Sequence, residues 1–275
     1  MPEGPEIRRA ADRLHDAVAG QVAERVRLTQ LHLRPRAEEL CGRRILSIRP
    51  RGKALLTRFE GDLVLYSHNQ LYGRWYVCAP ERPPRTNRTL RASLETPERW
   101  ALLYSASDIE VLYEEELGEH PFLRKLGPDL LEPETTPARL RERLLEPRFR
   151  RRSFGGLLLD QGFAAGIGNY LRSEILFFAG LRPEQRAADL DPEQLGRLTR
   201  EMRRVIQRSY RTGGVTETAA LAASARAAGE PRRSWRHAVF GRTGANCRRC
   251  ETPIQRLVVA SRRLDLCPRC QPASG

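Results

Sequence analysis

Near its C-terminal end the chain carries Cys247-Arg248-Arg249-Cys250 and Cys267-Pro268-Arg269-Cys270, with sixteen residues between the pairs. Two close pairs at that separation have the spacing of a hairpin built around one tetrahedral zinc ion by four thiolates. A redox-active pair is the competing account of a CxxC, and Cys41 and Cys78 stand outside the paired sets. Zinc fits better than a disulfide framework in a reducing compartment. Four thiolates leave no open coordination position, so the metal, one per chain, is expected to hold a fold and perform no chemistry. Catalysis has to be sought elsewhere.

The zinc segment is strongly basic, with eleven arginines against Glu230, Glu251 and Asp265 from residue 226 onward. The whole chain of 275 residues has 48 basic and 34 acidic side chains, a net charge of +14. Such a surface attracts phosphate. No apolar run approaches the roughly 20 residues that a membrane span needs, and no basic segment leads into an apolar one at the start. The chain therefore reads as a cytoplasmic, nucleoid-associated protein whose partner is nucleic acid and not a membrane.

The length allows about two domains. Apolar residues at helical spacing (Ile7, Ala10, Ala11, Leu14, Val18) predict a helix over residues 5–19, ended by Gly20. The period then falls to two, and strands are expected over 22–28, 44–48, 54–59, 63–67, 75–77, 89–94 and 101–104. Around His120 the pattern breaks amid Pro121, Pro128, Pro133 and Pro137. Helices follow: one bearing Leu140, Leu144 and Leu145, a short one over 154–161, one over 170–178 after a glycine-punctuated turn, and a long one capped by Asp191 with Gln194. The Ala-rich stretch 213–229 reads as a mobile loop or a weakly held helix. The expected fold is multidomain α+β. An N-terminal β-sandwich with a leading helix (1–125) is joined by a linker (126–136) to a helical domain (137–230) and a zinc-finger subdomain (231–275).

Three features carry chemistry. Residues 139–152 hold seven arginines against Glu142 and Glu146, leading into a helix, a glycine turn and a second helix that starts near Asn169. A helix N-terminus there suits a backbone phosphate, although a solvated face for the arginines and an N-cap role for Asn169 are the plainer alternatives. Of the 48 basic residues only Lys53 and Lys125 are lysine. A compact ammonium at Lys53 suits a phosphate or a leaving oxygen, against the alternative of an ordinary exposed strand residue. Removal of Met1 would expose Pro2 as a secondary amine able to form an iminium ion with an aldehyde-like sugar carbon, and Glu3 beside it could shuttle protons. The alternative is that Pro2 and Glu3 simply begin a helix.

The segments Met1-Pro2-Glu3-Gly4-Pro5-Glu6, Arg51-Gly52-Lys53-Ala54-Leu55-Leu56, Tyr66-Ser67-His68-Asn69-Gln70-Leu71-Tyr72-Gly73, Gly162-Phe163-Ala164-Ala165-Gly166-Ile167-Gly168-Asn169-Tyr170-Leu171-Arg172-Ser173-Glu174 and the two CxxC pairs together resemble the formamidopyrimidine-DNA glycosylase/endonuclease VIII family over the full length. The resemblance implies that mature Pro2 is the nucleophile, Glu3 the general acid/base and Lys53 an assisting cation. It implies a helix–two-turn–helix element over about 154–178 with Asn169 on phosphate, and a finger arginine on phosphate at Arg262, beside Arg263. Glu6 and Glu174 match acidic residues of the active-site region, and Cys247, Cys250, Cys267 and Cys270 match the zinc ligands. Gln70, Leu71 and Tyr72 match the loop that fills the gap left by an everted nucleotide. Ordinary strand burial is the other account of Leu71 and Tyr72.

Formamidopyrimidine-DNA glycosylases usually carry an Arg and a Phe near the place taken here by Asp108-Ile109-Glu110. Their absence points to the endonuclease VIII type. The expected function is therefore a monomeric bifunctional DNA glycosylase and abasic-site lyase, acting through β,δ-elimination on duplex DNA that contains oxidised pyrimidines. The alternative is a non-catalytic zinc protein that binds bent or damaged DNA.

Overall fold

The computed structural model describes residues 2–273, which form two compact units, one up to Lys125 and one from Leu126 onward. No helix among the described residues is long and apolar enough to cross a membrane.

The first unit opens with α1 (Gly4–Val18), whose buried stripe holds Ile7, Ala10, Ala11, Leu14 and Val18 as the periodicity predicts. β1 (Arg25–Leu28), α2 (Arg34–Leu40), β2 (Ile45–Arg51), β3 (Ala54–Phe59), β4 (Leu63–His68), β5 (Arg74–Cys78), β6 (Leu90–Glu95), β7 (Trp100–Tyr104) and β8 (Asp108–Tyr113) follow. They make two four-stranded sheets, ordered β1-β6-β7-β5 and β2-β3-β4-β8. Side chains of both sheets, such as Leu94 and Leu103 from one and Leu55 and Leu65 from the other, share a single core with α1. A sandwich arises because each sheet must bury its apolar face. Trp75 Nε1 donates to Ser67 Oγ at 3.3 Å, satisfying the indole within that core.

Two elements exceed the sequence expectation. α2 buries only Ala37 and Leu40, too few apolar positions to show a period. β8 buries only Ile109 and Val111, and as an edge strand it has Asp108 before them and Glu110 between them.

In the second unit, α3 (Pro137–Leu145), α4 (Phe154–Leu157), α5 (Asn169–Ala179) and α6 (Pro192–Arg211) surround a core that includes Leu144, Phe154, Leu171 and Val205. α4 is shorter than the expected helix over 154–161, because after Leu158 the chain turns on Asp160, whose Oδ1 accepts the Gly162 N–H at 2.8 Å. The α6 cap is the reciprocal box read from sequence: Asp191 Oδ1 accepts Gln194 N–H at 2.8 Å and Gln194 Oε1 accepts Asp191 N–H at 3.0 Å. The Ala-rich stretch contains α7 (Ala219–Ala227), which buries Ala222 and Ala225 against Trp235 of α8 (Arg232–Trp235) and Val215. β9 (Gln255–Val259) and β10 (Arg262–Leu266) form the terminal hairpin, and Leu264 and Leu266 join the helical core.

Candidate functional site

In the first unit, strand register places several sequence-predicted residues at one end of the second sheet. Arg51 pairs with Ala54, Ala54 with His68, and His68 with Asp108. The Gly52-Lys53 turn, the loop after β4 and the loop before β8 therefore share that end. α1 runs antiparallel to β2: Gly20 N–H meets Ile45 O at 2.7 Å and His15 Nδ1 accepts Ile48 N–H at 3.3 Å. The start of α1 consequently lies toward the Lys53 end of the sheet.

Glu3 is the N-cap of α1 and is buried. Its N–H donates to Glu6 Oε2 at 3.0 Å, so Glu6 fixes the backbone on which Glu3 sits. Pro2 is half-buried, and Met1 lies outside the described residues. Lys53 is not the exposed strand residue of the plainer alternative. It occupies a two-residue hairpin turn, where Gly52 takes φ 61, and is only 6% exposed. Burial of an ammonium is unfavourable unless it is partnered, and Lys53 has such an interaction within the protein. Nearby, burial holds the His68 imidazole below its usual pKa; Asp108 opposes that shift and Lys53 adds to it. Burial likewise raises the Tyr66 phenol, helped by Asp108 and Glu110.

The loop after β4 is a built feature. Gln70 adopts φ 49 and its N–H donates to His68 Nδ1 at 3.1 Å. Gly73 N–H closes on Asn69 O at 2.7 Å, and a Cβ on Gly73 would lie 2.6 Å from that same oxygen. Arg88 donates to Tyr72 O. Leu71 and Tyr72 stand 60% and 70% exposed on this frame, which excludes strand burial. Two large apolar side chains are thus held in water side by side on a fixed loop.

In the second unit, Asn169 is the first helical residue of α5, and the cap is Gly168. The N-cap alternative for Asn169 therefore fails, and its Oδ1 is buried without a hydrogen-bond partner. Part of the arginine run is internal scaffolding. Arg143 donates to Gly162 O at 2.6 Å and Phe163 O at 2.7 Å. Arg152 donates to Asp160 at 2.6 Å; although burial alone would raise it, this guanidinium and the Gly162 and Phe163 N–H groups hold the Asp160 carboxyl low.

Glu174 is fully buried and accepts from Ala238 N, Val239 N and Phe240 N at 2.8–2.9 Å and from Thr216 Oγ1 at 2.6 Å. Four donors are what make such a carboxylate tolerable, and they fix the chain leading into the finger. His237, whose Nδ1 lies 2.8 Å from Thr216 Oγ1, has its pKa lowered to about 3 by burial and by Arg236 and Arg232.

The four cysteine sulfurs lie within 4.8 Å of one another, with three of the pairs at 3.4–3.9 Å, and no disulfide forms. A tetrahedral site with Zn–S bonds of ~2.3 Å needs sulfurs ~3.8 Å apart, so the donor set and its spacing fit zinc.

Sequence reasoning missed Arg172. It is 0% exposed and donates to Gly155 O at 2.6 Å, Val259 O at 3.2 Å, Arg262 O at 3.4 Å and Arg263 O at 3.0 Å. It thus holds the β9–β10 turn, where Ala260 and Ser261 take φ 52 and 58. Nearly every position of α5 is buried, so a charged residue inside it has no solvent face to occupy, but that burial is visible only in the structure. At the tip Arg262 is exposed and has no ion-pair partner among the described residues. Arg263 instead lies over the Phe240 ring at 4.7 Å.

The chain matches three family descriptions along its length. These are the formamidopyrimidine-DNA glycosylase N-terminal domain over residues 1–106, its H2TH domain over 126–220, and a zinc finger found in FPG and IleRS over 246–273. "Endonuclease 8" of Pectobacterium carotovorum is 49% identical over 271 residues, covering 98% of this chain and 100% of that protein. "Endonuclease 8" of Escherichia coli K12 is 47% identical over 272 residues with the same coverage. Among solved structures, Lactococcus lactis Fpg in complex with DNA containing an oxidised pyrimidine superposes with a TM-score of 0.81 at 23% identity, covering 99% of this chain and 100% of that one. The same protein in complex with DNA containing an abasic site gives 0.80 at 24% identity, covering 98% and 100%. At those identities the likeness establishes the fold alone.

Proposed function

Because the chain belongs to the formamidopyrimidine-DNA glycosylase/endonuclease VIII family, a glycosylase and abasic-site lyase for oxidised bases, we propose that it excises oxidised pyrimidines from duplex DNA through an iminium formed by Pro2. The observation that carries this reading is the pair of buried ionisable groups at one end of the first unit's sheet, Glu3 at the start of α1 and Lys53 in the hairpin turn.

After Met1 is removed, the Pro2 nitrogen lone pair attacks C1′ as the bond from C1′ to the base breaks, and the base leaves with a proton. Opening of the sugar ring, with a proton delivered to its oxygen, gives the C1′ iminium. That cation acidifies C2′: loss of its proton breaks the C3′–O bond to phosphate, and loss of the C4′ proton then breaks the C5′–O bond. Glu3, adjacent to Pro2 by covalent necessity, is the group that delivers and removes these protons. Lys53 supplies positive charge to a phosphate or a leaving oxygen. Leu71 and Tyr72 fill the space left by the everted nucleotide, and Gln70 meets the base left unpaired. Asn169 and Arg262 hold backbone phosphates. The zinc on Cys247, Cys250, Cys267 and Cys270 supplies folding energy to the hairpin. A single chain suffices for these roles, and its place of action is the cytoplasm.

Glu3→Gln tests the assignment. It removes the proton shuttle and leaves the Pro2 amine, so excision of a damaged base is expected to fall by ~10²–10⁴-fold. Cleavage of a pre-formed abasic site, where no base has to leave, falls far less. Equal losses on both substrates would contradict the role given to Glu3.

A further inference from the structure

The loop after β4 is tied to the loop before β8 by one polar pair: Ser107 Oγ donates to Gln70 Oε1 at 2.9 Å. Both partners are themselves held. The Ser107 carbonyl accepts Gln30 Nε2 at 2.9 Å. Ser105, two residues earlier, takes φ 56 and donates its N–H to Thr89 O at 2.8 Å. On the other side, the left-handed backbone of Gln70 is pinned by His68. A hydroxyl carries one proton, and here it goes to the amide oxygen. Gln70 Nε2 is left without a hydrogen-bond partner among the described residues.

We propose that Ser107 is a positioning residue for opposite-base readout: by holding Oε1 it fixes the Gln70 amide so that Nε2 faces the base left unpaired in the complementary strand. The proposal rests on the reading of residues 70–72 as the gap-filling loop. A glutamine with a free amide offers oxygen or nitrogen by a half-turn of its last torsion, and ordering that torsion opposes binding. With Oε1 engaged, Gln70 offers a donor, and its ligand is an acceptor atom on the pairing edge of the base. Adenine, guanine, cytosine and thymine each carry such an atom, so the arrangement gives contact with tolerance of several opposite bases. No covalent step is involved.

The test measures single-turnover excision of one oxidised pyrimidine in two duplexes that differ only opposite the lesion, one with adenine and one with a tetrahydrofuran abasic analogue. The readout is the ratio of the two rates for the parent, Ser107→Ala, Gln70→Ala, the double variant and Ser107→Thr. Loss of one positioning hydrogen bond is expected to lower the ratio by about 2–10-fold in Ser107→Ala. Gln70→Ala lowers it at least as far, the double variant goes no further than Gln70→Ala, and Ser107→Thr, which keeps the hydroxyl, restores it. If Gln70→Ala lowers the ratio and Ser107→Ala leaves it at the parent value, Ser107 does not position the amide. If Ser107→Ala slows both substrates equally, it is a general structural residue and the proposal fails. If Gln70→Ala itself leaves the ratio intact, the reading of Gln70 falls and the proposal with it.

Discussion

Residues 69–73 in the first unit and residues 260–261 in the second both place non-glycine residues in the left-handed region, Gln70 at φ 49, Ala260 at φ 52 and Ser261 at φ 58. Such backbones persist only where the surroundings over-determine them. The first turn is held from its rim by small, partly exposed bonds from Ser107, Arg88 and the His68 ring. The second is held from beneath by a buried guanidinium on three carbonyls of the hairpin, while Asp265, 0% exposed, accepts from Gly241 N, Thr243 Oγ1 and Arg256 Nε. The difference follows from what each turn presents. Under the proposed function Leu71 and Tyr72 fit an irregular gap between bases, whereas Arg262 meets a phosphate at a fixed place on a regular backbone.

Removing the deepest support of the second turn gives the largest expected effect. Cys267→Ser takes away a ligand from a module whose zinc-dependent folding is worth on the order of 10 kcal/mol. Zinc content measured after dialysis should fall, and DNA affinity with it, while the melting of the first unit stays in place. Retention of one zinc per chain with parent affinity would mean that Cys267 is not a required ligand of the metal.

Arg172→Met comes next. It leaves four carbonyls without their donor and is expected to cost about 3 kcal/mol, read from denaturant unfolding. Zinc should remain bound, yet the Ala260-Ser261 turn should relax and DNA binding weaken. Unaltered affinity would show that the turn needs no support from beneath.

Acid acts on the second unit through His237. His237 has its folded pKa lowered to about 3, below an unfolded value of ~6.5. A lowered value means that the unfolded chain binds the proton first. The stability is therefore fully present above pH ~6.5 and is lost as pH falls toward the folded pKa, by about 2 kcal/mol at pH 5. His237→Gln should flatten that slope in the second unit's unfolding, and an unchanged slope would place the acid sensitivity elsewhere.

The smallest effect on folding belongs to Arg262→Ala. Its side chain has no ion-pair partner among the described residues, so stability should stay within about 0.5 kcal/mol. The slope of log affinity against log salt should nevertheless fall by ~0.9, the signature of one lost phosphate contact. Loss of slope in Arg263→Ala and not in Arg262→Ala would transfer the role to the neighbour.

Much of this arrangement is legible in the sequence wherever burial follows a period. The α1 stripe and the Asp191 cap are local patterns that tertiary contacts only reinforce, and β3, β4, β6 and β7 are legible as short apolar runs, buried at consecutive positions. The cysteine pairs are legible for a different reason, since metal geometry dictates their spacing. What the sequence hides are polar residues whose partners lie far along the chain. Arg172 reaches Arg263 across 91 positions and Gln70 reaches Ser107 across 37. No periodicity encodes such pairs. Lys53 shows the same limit: its rarity in an arginine-rich chain is legible, but its burial in a tight hairpin turn is seen only in the structure.

The central claim is that the Pro2 nitrogen forms a covalent bond with C1′ of the damaged nucleotide. It is tested most directly by borohydride reduction during turnover on an oligonucleotide bearing one oxidised pyrimidine, followed by peptide mapping of the adduct. The account predicts a stable protein–DNA adduct on the N-terminal peptide, with Met1 absent and the added mass on Pro2. An adduct on Lys53, or DNA bound and released without any trapped species, would contradict it.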